Sequence, residues 1–219
     1  MSFSPEWDVR YSENKHISIW PWSDLVSYFN RYAKPFYPTT RVLEIGFGAG
    51  ANIPFFESIN VDYSGIEGSR TICEAVARRH PELVGKLYVG DFLNHNFSEK
   101  FDVIVDRASM THNSTSAIRK GLSHLADSLN SGGKYIGIDW FSTKHSDYSI
   151  GDVVDEFTRS NMKDGQFAGV GNVHFSDENH LHELFKEFQI INLEEKWSRR
   201  SIPSDGHLFA SWNIVAIKK

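Results

Sequence analysis

The stretch VLEIGFGAG, residues 42–50, constrains this chain more than any other. A short apolar run ends in three glycines that alternate with other residues. Glycine takes positive φ without penalty, and a backbone without Cβ lets a ligand approach closely. Followed by a helix, such a turn offers unpaired N–H groups and the positive end of a helix dipole. GFGAGA fits the loose dinucleotide fingerprint G-x-G-x-x-G/A, with Ala51 last. Glu44 points elsewhere. A carboxylate two residues before Gly46, at the carboxyl end of a buried strand, suits a cationic head such as an amino group. Asn52 is placed either to cap the following helix or to touch the ligand.

From Arg41 onward short apolar runs alternate with helical stretches. Strands are expected over 41–46, 61–67, 86–91, 101–106 and 134–139. Helices are expected over 52–59, 69–80 with Ser69 as N-cap, and 114–130, where Ile118, Leu122, Leu125 and Leu129 share a face. This rhythm predicts an α/β fold with right-handed crossovers and a parallel sheet. It breaks after Asp139. Residues 140–175 read as a long polar insertion with one helix near 152–160. A capped helix over 176–188 follows. Two strands, 188–199 and 208–219, are joined by a Pro-Ser-Asp-Gly turn and close the sheet as an antiparallel hairpin.

The chain has 219 residues, enough for one domain. Its net charge of −5 argues against a nucleic-acid binder, which would want a basic face. The densest basic cluster, Lys196, Arg199 and Arg200, sits beside Glu194 and Glu195 and reads as a solvated face. No apolar run suggests a membrane span, and the N-terminal stretch lacks an apolar signal core. With Cys73 as its only cysteine, the chain can form no internal disulfide. A cytoplasmic location is the default expectation, and self-association is left open.

LEIGFGAG resembles the glycine motif (D/E)-x-G-x-G-x-G of the class I S-adenosylmethionine-dependent methyltransferases. Later pieces match in order: Glu67 ending the second strand, Gly90-Asp91 ending the third, FDVIVDRAS as the fourth, and LNSGGKYIGID as the Gly-Gly turn and fifth strand. The likeness covers residues 40–140 well and the terminal hairpin loosely. It implies a Rossmann-like, seven-stranded, mostly parallel sheet with helices on both faces. It also implies S-adenosylmethionine as cofactor, held by Glu44, Gly46, Gly48, Gly50, Asn52, Glu67, Gly68, Ser69, Asp91, Phe92 and Asp106. Of these, Glu67 would take the ribose hydroxyls and Asp91 the adenine amino group, with Phe92 beside the ring. One domain is expected: an N-terminal lid and helix over 1–40, a cofactor core over 41–139, the insertion over 140–175, and the C-terminal helix and hairpin over 176–219.

Methyl transfer from a sulfonium needs alignment and a dry pocket more than it needs acid–base help. A hydroxyl acceptor must also lose a proton, so a base within reach assists. The fourth strand exits through DRASMTHN, residues 106–113, where the substrate meets the methyl group in this fold. Family members acting on exocyclic base amines carry (N/D)-P-P-(Y/F) there, which this chain lacks. His112 is the first candidate base, Asp139 an inward-facing partner for it, and His174 a second base. Arg107 suits an anionic substrate group. His16, Trp20 and Trp22 in the N-terminal segment and Tyr148 in the insertion are the remaining substrate candidates. The histidines are scattered without ligand spacing, so no catalytic metal is expected.

The expected function is methyl transfer to a small polar metabolite, a sugar or sugar nucleotide among them, with O-methylation favoured over N-methylation. Two alternatives stand beside it. One is a nicotinamide-dependent oxidoreductase, weakened by the lack of Y-x-x-x-K in the second half. The other is a non-catalytic module that keeps the fold and the cofactor.

Overall fold

The computed structural model describes residues 6–13 and 17–219. A short helix α1 (Glu6–Ser12) and helix α2 (Ser23–Tyr32) precede the core. The core alternates β1 (Arg41–Ile45), α3 (Ile53–Ser58), β2 (Asp62–Glu67), α4 (Arg70–Arg79), β3 (Leu87–Val89), β4 (Phe101–Arg107), α5 (Thr115–Ser128) and β5 (Leu129–Phe141). The insertion forms three short strands, β6 (Asp152–Val153), β7 (Thr158–Ser160) and β8 (Val173–His174). Helix α6 (Glu178–Leu184) and strands β9 (Phe188–Arg199) and β10 (Leu208–Lys218) complete the chain.

The main sheet has seven strands in the order β3-β2-β1-β4-β5-β10-β9. The first five are mutually parallel, while β10 runs antiparallel between β5 and β9. The strand order reverses between β1 and β4, and in open α/β sheets ligands bind at the carboxyl ends beside such a reversal.

Side chains alternate across the sheet, and both sets are buried. Leu43, Ile45, Ile104 and Tyr135 pack with Ile118, Leu122 and Leu125 of α5 and Leu181 and Leu184 of α6. Val42, Val103, Val105, Ile136 and Ile138 pack with Leu25 and Phe29 of α2, Phe56 of α3 and Ile72 and Val76 of α4. Two apolar faces demand helices on both sides, which is why these strands read as continuous apolar runs.

The helix expected near 152–160 is a hairpin instead. Asp155 is the reason. Its carboxylate accepts Phe157 N–H at 3.0 Å and Thr115 N–H and Oγ1–H at 3.0 and 2.8 Å. That turn chemistry competes with helical hydrogen bonding and reverses the chain, so β6 and β7 pair antiparallel.

Candidate active site

A cavity of about 540 Å³ opens at the carboxyl ends of the strands around the reversal. Glu44, Gly46, Gly48, Asn52, Glu67, Gly68, Asp91 and Phe92 line one part of it. Trp7, Trp22, Arg107, Ser109, His112, Asp139, Phe141, Phe167 and Phe209 line the rest.

The glycine loop bares its backbone as expected. Gly46 and Gly48 hold φ of +62° and +53°, in the left-handed region. A Cβ on Gly46 would lie 2.1 Å from Ser109 Oγ, and one on Gly48 would lie 3.0 Å from Tyr11 Oη. Gly50 serves packing instead: a Cβ there would press on Ile53 and Val76.

Glu67 is buried and turns its carboxylate back to the loop. Gly48 N–H donates to Oε2 at 3.0 Å and Ser69 N–H to Oε1 at 2.9 Å. Burial raises its pKa against those hydrogen bonds. Each oxygen keeps a further lone pair, which is what a vicinal diol requires. Glu44 is also buried, accepting Asn52 Nδ2–H and Tyr63 O–H, both at 2.7 Å. Burial pushes its pKa up to about 7 in spite of both donors. Asn52 makes no side-chain cap to α3. It links Glu44 to the N-terminal segment, because its Oδ1 accepts Trp22 N–H at 3.1 Å.

Asp91 accepts Leu93 N–H and Asn94 Nδ2–H, which fixes the turn after β3 while the residue still lines the cavity. Ser69 is the N-cap of α4, accepting Ile72 N–H, and its hydroxyl donates to Asp8. It stands outside the cavity lining, as does Asp106. The Asp106 carboxylate is fully buried and accepts from Ser109 N–H, Met110 N–H, Tyr135 O–H and Trp140 Nε1–H. With four donors already bound, it fastens the turn after β4 rather than facing a ligand.

On the acceptor side the expected partnership of Asp139 with His112 does not form. The Asp139 carboxylate pairs with Arg107 Nη2 at 2.9 Å and Lys196 Nζ at 3.0 Å, and accepts Ser211 O–H at 2.9 Å. Lys196 is therefore not part of a solvated face. Burial opposes its charge, but Asp24 and Asp139 outweigh burial and hold its pKa above the usual lysine value. Trp22 lies against Arg107, with the guanidinium carbon 3.7 Å from the ring centroid. Such stacking on a planar cation fixes both groups.

His112 is oriented by a backbone carbonyl, with Nδ1 3.1 Å from Asn172 O. A carbonyl only accepts, so Nδ1 carries a proton and any lone pair of the ring is on Nε2. Trp7 packs edge-on against this ring at 5.0 Å. His174 is no base candidate. It is completely buried between Thr158 Oγ1 and Ser176 Oγ, and burial lowers its pKa to about 3. Tyr148 packs under Arg159 and donates to Glu156 O, away from the cavity. Trp20 is 75% exposed and also stands off it. His16 lies outside the described residues.

Sequence reasoning missed Trp7 and Tyr11, one helical turn apart on α1. Tyr11 covers the glycine loop, and burial beside Glu67 raises its pKa. Arg10 donates to the carbonyls of Ala168 and Gly169, tying α1 to the insertion. The i,i+4 aromatic pair was the available signal. The contributions of Phe141, Phe167 and Phe209 had none.

The comparisons with known proteins agree with this geometry. Residues 42–133 match the family model described as a methyltransferase domain. No curated protein matches the sequence. Among solved structures, an S-adenosylmethionine-dependent methyltransferase from Methanosarcina mazei superposes with a TM-score of 0.68 at 15% identity, over 91% of this chain and 98% of that one. An amino pentose methyltransferase from Micromonospora echinaspora, with its cofactor bound, gives 0.60 at 17% identity, over 100% of this chain and 98% of that one. TehB from Haemophilus influenzae gives 0.63 at 15%, over 97% and 67%. Residues 42–133 thus match a methyltransferase domain, and the chain has the fold of these S-adenosylmethionine-dependent methyltransferases. The nicotinamide alternative is not favoured: a dinucleotide fold continues its sheet in parallel, whereas β10 here is antiparallel. Among the described residues no helix is long and apolar enough to cross a membrane.

Proposed function

We propose that the enzyme transfers a methyl group to a hydroxyl of a small polar acceptor, a sugar or sugar nucleotide among the candidates. One observation carries this reading: the cavity that begins at the glycine loop and Glu67 runs on without a break to His112. The residues fit the donor. Gly46 and Gly48, at positive φ, bare the loop backbone to the cavity, Glu67 offers lone pairs to the ribose, and Glu44 faces the amino group. Asp91 and Phe92 flank the adenine. His112 takes the acceptor proton on Nε2, Trp7 and Phe141 cover the reaction from water, and Arg107, paired with Asp139 and stacked on Trp22, forms the opposite wall. The amino pentose acceptor of a structural neighbour supports the sugar reading.

Two measurements test the donor half. Glu67→Ala should weaken S-adenosylmethionine binding tenfold or more, about 1.5–3 kcal/mol for hydrogen bonds to a charged acceptor. An unchanged dissociation constant by calorimetry removes Glu67 from the site.

The second follows from Glu44. A bound ammonium favours its carboxylate form, so binding expels the proton that burial retains below pH 7. Affinity should then rise toward pH 7 by up to about tenfold per pH unit and level off above it. A flat profile, or a Glu44→Gln variant with the same slope, overturns that contact. Release of S-adenosylhomocysteine over a panel of hydroxylated metabolites separates an enzyme from a cofactor-holding module.

A further inference from the structure

Beyond the methyl-donor cavity, three chemistry-bearing side chains meet where the sequence shows no ligand spacing. His145 and Asp147 sit in the turn after β5, and His207 stands one residue before β10. His207 Nε2 is 3.2 Å from Asp147 Oδ1, and His145 Nδ1 is 4.0 Å from the same oxygen. One donor atom from each residue lies within 4.8 Å of the other two. His145 and Asp147 are 2% exposed and His207 is half-buried, so the cluster lies at the edge of the interior. We propose that His145, Asp147 and His207 form a binding site for a first-row divalent metal ion of the zinc class, clamping the insertion to β10.

Two imidazoles and a carboxylate are a donor set for such ions rather than for calcium or magnesium. Donor atoms held tetrahedrally at about 2.1 Å from zinc lie about 3.4 Å apart. The 3.2 Å pair already meets that spacing, and the 4.0 Å pair needs to close by roughly 0.6 Å.

The surroundings hold the ligands in a form that can bind. Asp147 N–H donates to His145 Nδ1 at 3.0 Å, so the neutral ring presents its Nδ1 lone pair and keeps its proton on Nε2. His145 Nε2 is buried with no hydrogen-bond partner, and an ion at Nδ1 would take the place of the Asp147 N–H there. Phe167 N–H donates to Asp147 Oδ2 at 3.1 Å and aims Oδ1 at the histidines. Outer hydrogen bonds of this kind orient ligating carboxylates. Gly165 wraps the same carboxylate: at φ +83°, a Cβ there would lie 2.6 Å from Oδ2.

Phe141, Phe167, Phe175 and Phe209 enclose the His145 ring at centroid distances of 4.3–6.5 Å among themselves and to it. Three of them also line the cavity, so an ion at this cluster would stiffen the wall against which the acceptor lies.

The test is calorimetric titration of chelator-treated full-length protein with Zn²⁺. One equivalent should bind with a micromolar or tighter dissociation constant and raise Tm. His207→Ala should weaken that binding at least tenfold and abolish the Tm rise. Retained S-adenosylmethionine binding shows that the variant is folded. His80→Ala, in the exposed Glu57, His80, Glu82 group, controls for surface binding and should keep the high-affinity equivalent. Should His207→Ala not fold, X-ray absorption of the Zn²⁺-loaded wild type decides the matter, with two imidazole ligands expected. Binding only at millimolar Zn²⁺, an unchanged affinity in folded His207→Ala, or fewer than two imidazoles overturns the proposal.

Discussion

Asp106→Ala is expected to lower stability by about 3 kcal/mol or more, because each buried donor left without an acceptor costs about 1–3 kcal/mol. The Tyr135 hydroxyl and the Trp140 indole N–H are both in the fully buried core and both end on Asp106 Oδ2 at 2.8 Å. The Ser109 and Met110 amides end on Oδ1 at 2.8 and 3.2 Å. Four donors lose their acceptor at once, and a methyl group cannot fill the space. In a domain of this size that corresponds to a fall in Tm of roughly 6–12 °C. Asp106→Asn should cost less. It keeps one oxygen acceptor and removes a charge that burial already disfavours, as the raised pKa of Asp106 shows. Thermal and urea unfolding of both variants measure the difference. An alanine variant as stable as wild type would mean that this network carries no net stability.

His112→Gln is expected to reduce kcat by about 10²–10⁴-fold on a hydroxyl acceptor, the range for loss of a positioned general base. The dissociation constant for S-adenosylmethionine should stay within a factor of two or so of wild type, since His112 is oriented by Asn172 of the insertion. Glutamine retains a donor for the Asn172 carbonyl, so the insertion keeps its hold on the position, but no basic lone pair remains. An amine acceptor that is already neutral needs no base, so on such a substrate the loss should be small. The prediction therefore also discriminates the methylated atom. Equal turnover by wild type and His112→Gln on a hydroxyl substrate removes His112 from the chemistry.

Much of the cofactor side was legible because its determinants are local. A glycine at positive φ, an acid ending a strand and an Asp opening a turn occupy fixed offsets from strands that periodicity reveals. Gly46, Gly48, Glu44, Glu67 and Asp91 all reach one cavity for that reason. The same local reasoning failed for Ser69 and Asp106. Both stand at strand exits of the expected kind, but their side chains are taken by a helix N-terminus and by four core donors.

The acceptor side was legible only in part. His112 and Arg107 follow from their place after the fourth strand, whereas their partners come from distant chain. Asp139 meets Arg107 and Lys196 rather than His112, and Asn172 in the insertion orients His112. A helix forecast over 152–160 gave way to a hairpin because the Asp155 carboxylate bonds Thr115, 40 residues earlier.

By itself the sequence determined the strand-and-helix rhythm and the bare loop, since these rest on hydrophobic period and backbone freedom, which act over a few residues. Only the tertiary structure decided which acids line the cavity, and that His112 lines it while His174 is buried. It also closed α1 over the loop and brought His145, Asp147 and His207 together. Those outcomes depend on burial and on hydrogen-bond partners 29 to 159 residues away, and a buried donor takes whichever acceptor the fold brings within reach.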